Sequence, residues 1–376
     1  MRYYAIKIDG APANIFPPVP GAFVSGAQFC SVVNGKHDPG ALDVQFDIPI
    51  GSDSAVNVVQ GAFVKIRGIS LPMISQAANL TNMPVSVYGG MSAGLPLANA
   101  QLGHLVNQGL LMKGTTQVVF GNWQGNETSL DFFFGHGVPG GGPSASAVKG
   151  GTGNPYLPKN HIWNWPKNTP MDSAIKNMLS TVYTGFNINV KVSPQLKLPY
   201  NDLGFYPSAK VVSQYLHSIS MSILGKTIPN YKGVHVTFKG NNINVEDGTQ
   251  APISPAGQIS YIDLVGQPTW IKAQTISFNV IMRSDLVCQQ TVQMPQTVAV
   301  TGLDAAKSPG PASNPLTFQG KFKINHLRHV GQYRQPTGSD WITTVEAQTD
   351  DSGSGSGPKA AGGATPSGSG GHSIAG

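Results

Sequence analysis

At 376 residues the chain has room for two or three packed units. Only 11% of it is charged, less than half the roughly 25% usual for a soluble domain, while 46 Gly and 29 Pro are in excess. The net charge of +6 is spread without any Lys/Arg run, so no DNA-gripping patch can be read from it, and the neutral polar surface suits a subunit held in an assembly better than a free monomer.

From the start to about residue 135 the sequence predicts short strands. Val44, Phe46 and Ile48 alternate with Asp43, Gln45 and Asp47, and Leu130, Phe132 and Phe134 repeat the period of two. Between them lie Ala62 to Ile69, Pro84 to Tyr88 and Gln117 to Phe120. Five or more short strands in this length predict a sandwich or barrel over residues 1–135. Residues 136–160 are dense in Gly, Pro and Ser and read as an exposed loop.

Residues 161–232 predict a small α/β insertion. Thr169 is placed to cap a helix, Pro170 fits the first helical position, and Asp172 favours the positive end of the dipole. Met171, Ile175, Met178, Leu179 and Val182 share one face, and Gly185 is placed to stop the helix. A second helix opens near Pro207, with Val211, Val212, Tyr215, Leu216, Ile219 and Ile223 as its expected buried stripe.

From 233 to 351 the period of two returns. Val234, Val236 and Phe238 run into Gly240, Asn241 and Asn242, then Ile243 and Val245 run out, which predicts a hairpin. Ile276, Phe278, Val280 and Met282 form one face, as do Phe318, Phe322 and Ile324, and Trp341 to Val345 closes the series. Residues 352–376 are nearly all Gly, Ser, Ala and Pro. They cannot bury enough surface to offset ordering entropy, so a disordered tail is expected.

No catalytic, cofactor-binding or metal site is assigned. Gly135 to Gly140 spells G-x-G-x-x-G, but Pro139, Gly141, Gly142 and Pro143 forbid the helix that must follow to hold a pyrophosphate. His326 and His329 stand three apart in strand-like sequence, where they face opposite ways, and lack a third ligand. Asp43 and Asp47 lie at outward strand positions and Asp350 and Asp351 border the tail, with no sign of an acid/base pair. Trp123, Trp163, Trp165, Trp270 and Trp341 are dispersed, which favours packing over sugar stacking. Cys30 and Cys288 read as buried free thiols. The opening MRYYAIKIDG lacks an apolar stretch of signal length, and no segment approaches 18 apolar residues, so the expectation is a soluble chain made in a cytoplasm.

Several stretches, in order, resemble the baseplate hub family of contractile and related phage tails, Mu-like hubs included. They are Lys36 to Leu42 running into Asp43 to Ile48; Leu80 to Leu97, with Pro84 to Met91 as its body; and Phe120-Gly121-Asn122-Trp123. They continue with Trp165 to Ala174, Asp202 to Tyr206, Met282 to Leu286, Val292 to Pro295, His329 to Arg334, and Gly338 to Thr344.

The resemblance implies a mainly β fold: two tail-tube-like β-barrels flanking an α/β unit, assembled as a homotrimer. Three subunits with two barrels each make a pseudo-six-fold ring. Such a ring joins a six-fold tail tube or distal tail protein above to a three-fold central spike below, beside other baseplate proteins. DNA would pass through the channel without specific binding. The location implied is the virion tail baseplate, assembled in the host cytoplasm, with no membrane insertion, and no enzyme activity or cofactor is expected. The alternatives are a glycan-binding or glycan-cleaving tail protein, which needs an acidic cleft or clustered aromatics, and the hub of a non-phage contractile injection system.

Overall fold

A computed structural model describes residues 2–51, 62–91, 109–136, 161–183, 186–207, 209–229, 231–239, 242–260, 263–272, 274–295, 318, 320–335, 337 and 340–350. The first part contributes β1 (Arg2–Ile8), β2 (Phe29–Cys30), β3 (Val32–Val33), β4 (Lys36–His37), β5 (Asp43–Gly51) and β6 (Ala62–Arg67). A short helix α1 (Leu71–Ser75) then precedes β7 (Pro84–Met91), β8 (Gly109–Gln124) and β9 (Glu127–His136). The middle holds β10 (His161–Trp165), α2 (Met171–Val182), β11 (Asn187–Lys191), β12 (Asp202–Tyr206), α3 (Ala209–Leu224), β13 (His235–Lys239) and β14 (Asn242–Glu246). The last part adds β15 (Gly257–Gln258), β16 (Thr269–Lys272), β17 (Thr275–Ile281), β18 (Thr291–Met294), β19 (Gly320–Gln332) and β20 (Trp341–Thr349).

The fold is mainly β with an α/β insertion. One 13-stranded sheet runs β16-β17-β20-β19-β5-β6-β9-β8-β7-β1-β2, with β18 branching from β19 and β15 from β18. Seven of its strands precede the insertion and six follow it, and the ladders among the described residues trace an open path. In β5 the predicted alternation holds: Val44, Phe46 and Ile48 are buried and Asp43, Gln45 and Asp47 point outward. Bulges adjust the long strand β8, one of them between Thr116 and Val118. There the buried Thr116 Oγ1 accepts from Met83 N at 2.9 Å and donates to Leu80 O, so the irregular backbone is satisfied from within.

The helix stripe of α2 is buried as predicted, with Met171, Ile175, Met178, Leu179 and Val182 turned inward. Thr169 does not cap it. Its hydroxyl donates to Pro166 O at 2.6 Å, Pro170 occupies the capping position, and Gly185 lies outside the described residues. In α3 the buried face is Ala209, Val212, Ser213, Leu216, Ser220 and Leu224, rotated from the predicted one. Val211 is exposed, and Tyr215, Ile219 and Ile223 lie at the margin of the core. The reason is hydrogen bonding: Ser220 Oγ accepts Val234 N at 2.9 Å, which draws the small-residue side against the chain entering β13.

The hairpin predicted at the head of the second β unit forms, with Val236 opposite Val245. It packs elsewhere, however. Strand β14 pairs in parallel with β11, and Val234, Val236, Phe238, Ile243 and Val245 join the core of Trp163, Trp165 and α2. Its period of two is satisfied on either side of that boundary, and the parallel pairing with β11 decides it. The loop from residue 137 to 160, with all of the Gly-rich fingerprint after His136, and the tail from 351 lie outside the described residues.

Candidate functional site: the seam between the two β units

The strand β19 changes partners along its length. One edge follows β20 throughout, while the other pairs β18 over Gly320 to Lys323 and then β5 over His326 to Gln332. A bulge between Ile324 and His326 marks the change. Seven residue pairs, from His326 opposite Gly51 to Gln332 opposite Gln45, thus fuse the sheets of the two units.

On the buried side the seam is aromatic. The Phe46 ring meets Trp341 edge-on at 5.2 Å, Tyr333 meets Trp341 at 6.3 Å, and Tyr4 meets Tyr333 at 4.9 Å. Gly331 is required here, since a Cβ would lie 2.3 Å from the Phe46 ring. Trp341 Nε1 donates to Gly90 O at 2.8 Å and Met282 N to Trp341 O at 3.2 Å, so β7, β17 and β20 are tied at one point. Trp341 and Met282, from the second unit by sequence, are buried in the hydrophobic core of the first.

Arginines close the rim. Arg2 donates to the carbonyls of Gln332 at 2.7 Å, Thr337 at 2.6 Å, Tyr333 at 3.3 Å and also Gln335, and its guanidinium lies 5.8 Å from the Trp341 ring centroid. Arg334 reaches Ala41 O at 2.5 Å and Pro39 O at 3.2 Å, and Arg328 forms a two-point pair with Asp47 at 2.8 and 2.5 Å. Arg283 pairs with Asp285 at 2.6 Å and with the buried Asp263 at 3.0 Å. Burial works against the Arg283 charge, and the hydrogen bonds and charge of Asp285, with that of Asp263, more than offset it, so its pKa stands above the usual value.

The seam also buries His329, 1% exposed, whose Nδ1 lies 2.8 Å from Thr343 Oγ1. Desolvation, with the nearby Lys239 charge, pushes its pKa down to about 3, so the imidazole is neutral. His326 is only partly buried, on the opposite face, as the strand period requires. Among the described residues no group of three or more His, Cys, Asp or Glu is arranged to hold a metal, and no helix is long and apolar enough to cross a membrane.

The other residues weighed in the sequence separate. Asp43 pairs with Arg67 at 3.0 Å, and Asp350 accepts from Thr291 Oγ1 at 2.9 Å, while Asp351 lies outside the described residues. Trp163, Trp165 and Trp341 are core residues, Trp270 stacks on Phe318 at 5.7 Å, and Trp123 is exposed. Cys30 and Cys288 are buried in different core clusters, and the Cys288 thiol donates to Ile50 O at 3.4 Å. Five of the stretches that carry the hub resemblance meet at the seam: Lys36 to Ile48, Pro84 to Met91, Met282 to Leu286, His329 to Arg334 and Asp340 to Thr344. Phe120 to Trp123 does not; it lies out on β8. Arg2, Arg283 and Arg334 carry the rim; Arg283 and Arg334 fall within stretches that carry the hub resemblance, but none was assigned a role by sequence. Their common signal was that they are charges in a chain with few.

Among the solved structures this chain resembles are phage tail and type VI secretion proteins. A type VI secretion component from E. coli, described as similar to T4 tail proteins gp27 and gp5, matches at TM-score 0.44 and 9% identity, over 92% of this chain and 77% of that one. A tail protein from Neisseria meningitidis matches at 0.43 and 10%, over 93% and 96%. A 43 kDa prophage tail protein from Shewanella oneidensis matches at 0.44 and 6%, over 93% and 97%. Scores of this size describe a likeness in outline and carry no residue correspondence. No protein-family model and no curated protein matches the sequence.

Proposed function

We propose that the chain is a structural subunit of a phage tail baseplate hub, with no catalytic role. The observation that carries this reading is the seam: one chain locks two β-rich units edge to edge in a fixed relation, through the ladder between β5 and β19 and through Trp341. A subunit of that kind supplies two adjacent positions of a ring, so three copies make six. The units are taken as barrels over residues 1–135 and about 247–351, with the α/β unit over 161–246 between them.

The outward face of the sheet supports passage of DNA without capture. Lys65 pairs with Asp131 at 3.5 Å, Arg67 with Asp43 at 3.0 Å and with Glu127 at 2.9 Å, and Arg328 with Asp47 at 2.5 Å. Cations already matched across strands offer phosphates little. On this reading the ring sits between the tail tube and the central spike in the virion.

The test is electron microscopy of assembled tails with the subunit located in the map. The expected result is three copies around an open channel, each placing two β units at near six-fold positions. A map in which each copy contributes one position, or in which residues 1–135 and 247–351 are not similar in shape, would exclude the proposal.

A further inference from the structure

The two-stranded ribbon β10–β12 is covered on one face only. His161, Trp163 and Trp165 turn inward, the tryptophans into the core with α2. The opposite face presents Ile162 at 70% exposure, Leu203 at 73% and Phe205 at 63%, with Ile162 directly across from Phe205 and Asn164 across from Leu203. Tyr200, also exposed, lies just before β12. The three aliphatic and aromatic side chains leave on the order of 400 Å² of contiguous apolar surface, within the range at which a patch on a soluble protein marks an interaction site. Neither strand has a second partner among the described residues, so both edges also offer backbone groups.

The charged residues that flank the two strands in sequence, Lys167, Lys197 and Lys210, are all basic. Lys167, whose backbone N donates to Asn201 Oδ1 at 2.8 Å, lies at one end of the ribbon, and Lys210, in the first turn of α3, follows the other end. Lys197 is exposed in the segment leading to Tyr200. The one carboxylate on the ribbon, Asp202, is turned inward, where it accepts Trp163 Nε1 at 2.7 Å and the Tyr215 hydroxyl.

We propose that this face docks a second, different protein through an extended apolar segment with carboxylates at its ends. A second copy meeting the strip symmetrically would set lysines against lysines, which opposes that pairing. The proposal does not rest on the ring, and it requires that any ring of copies leave the strip uncovered.

The test is selection of short random peptides displayed on yeast against the full-length chain, with binding then measured on variants. The expected binders alternate apolar residues between Asp or Glu. The double variant Leu203→Ser, Phe205→Ser should weaken them about a hundredfold or more, with circular dichroism and melting unchanged because both side chains are largely exposed. Lys167→Glu with Lys210→Glu should weaken them about tenfold at low salt and little at high salt. The proposal is overturned if no binder depends on Leu203 and Phe205, or if the binders are indifferent to charge. It is also overturned if sedimentation shows the chain associating with itself through the strip, which would make a second copy the occupant.

Discussion

Acidification should weaken the molecule well above the pH at which carboxylates titrate. His329 and His235 are both held near a pKa of about 3, against an ordinary value of 6.5. Burial is the main cause for each; Lys239 adds to it at His329, and Lys323 and His217 add to it at His235. Because the folded value lies below the unfolded one, the stabilisation is complete above about 6.5 and is lost as pH falls toward 3. Between about pH 7 and about pH 5 each buried imidazole then removes roughly 2 kcal/mol, or about 4 kcal/mol for the pair, out of a typical total of about 5–15 kcal/mol. His37, His161 and His326 are lowered by burial too, so their contributions have the same sign. Urea unfolding followed by tryptophan fluorescence at the two pH values measures the difference. The variant His329→Gln should lose close to half of it. Equal stability at both values, or an NMR titration placing the His329 imidazole near its ordinary pKa in the folded protein, would refute the reasoning.

Three further outcomes are expected. Trp341→Phe keeps most of the ring area but leaves Gly90 O without its donor, and should cost about 1–2 kcal/mol in chemical denaturation, whereas Trp341→Ala should cost about 3–5 kcal/mol. Arg283→Met strands the buried Asp263 carboxylate and should cost about 3–5 kcal/mol, with part of the loss recovered by adding Asp263→Asn. Reductant should leave the melting temperature unchanged, since Cys30 and Cys288 are separate thiols; non-reducing mass spectrometry checks that no bridge forms.

Much of the local structure was legible because it rests on short-range periodicity. The alternation of Val44, Phe46 and Ile48, the stripe of α2 and the paired runs of Val236 and Val245 each fix their own element. What the sequence left open was set by contacts far apart in the chain. The rotation of α3 depends on Ser220 meeting Val234, and the hairpin's allegiance depends on β14 finding β11. The seam was the least visible of all. The stretches that build it were legible as an ordered series along the chain, but no local rule states that Asp47 will meet Arg328 or that Trp341 will reach Gly90.

The partner change in β19 bears on how the chain is made. Arg328 follows Asp47 by 281 positions, so on the ribosome β5 waits for its neighbour while that whole length is synthesised. At the usual pace of about 5–20 residues per second the wait is roughly 15 to 60 s, during which one edge of the first unit is unpaired. An outward Asp47 on that edge discourages strands of other chains from adding there. In a crowded translation complex, the nascent first unit of one copy could still accept β19 from another, and the resulting exchanged dimer is the misassembly this topology most invites.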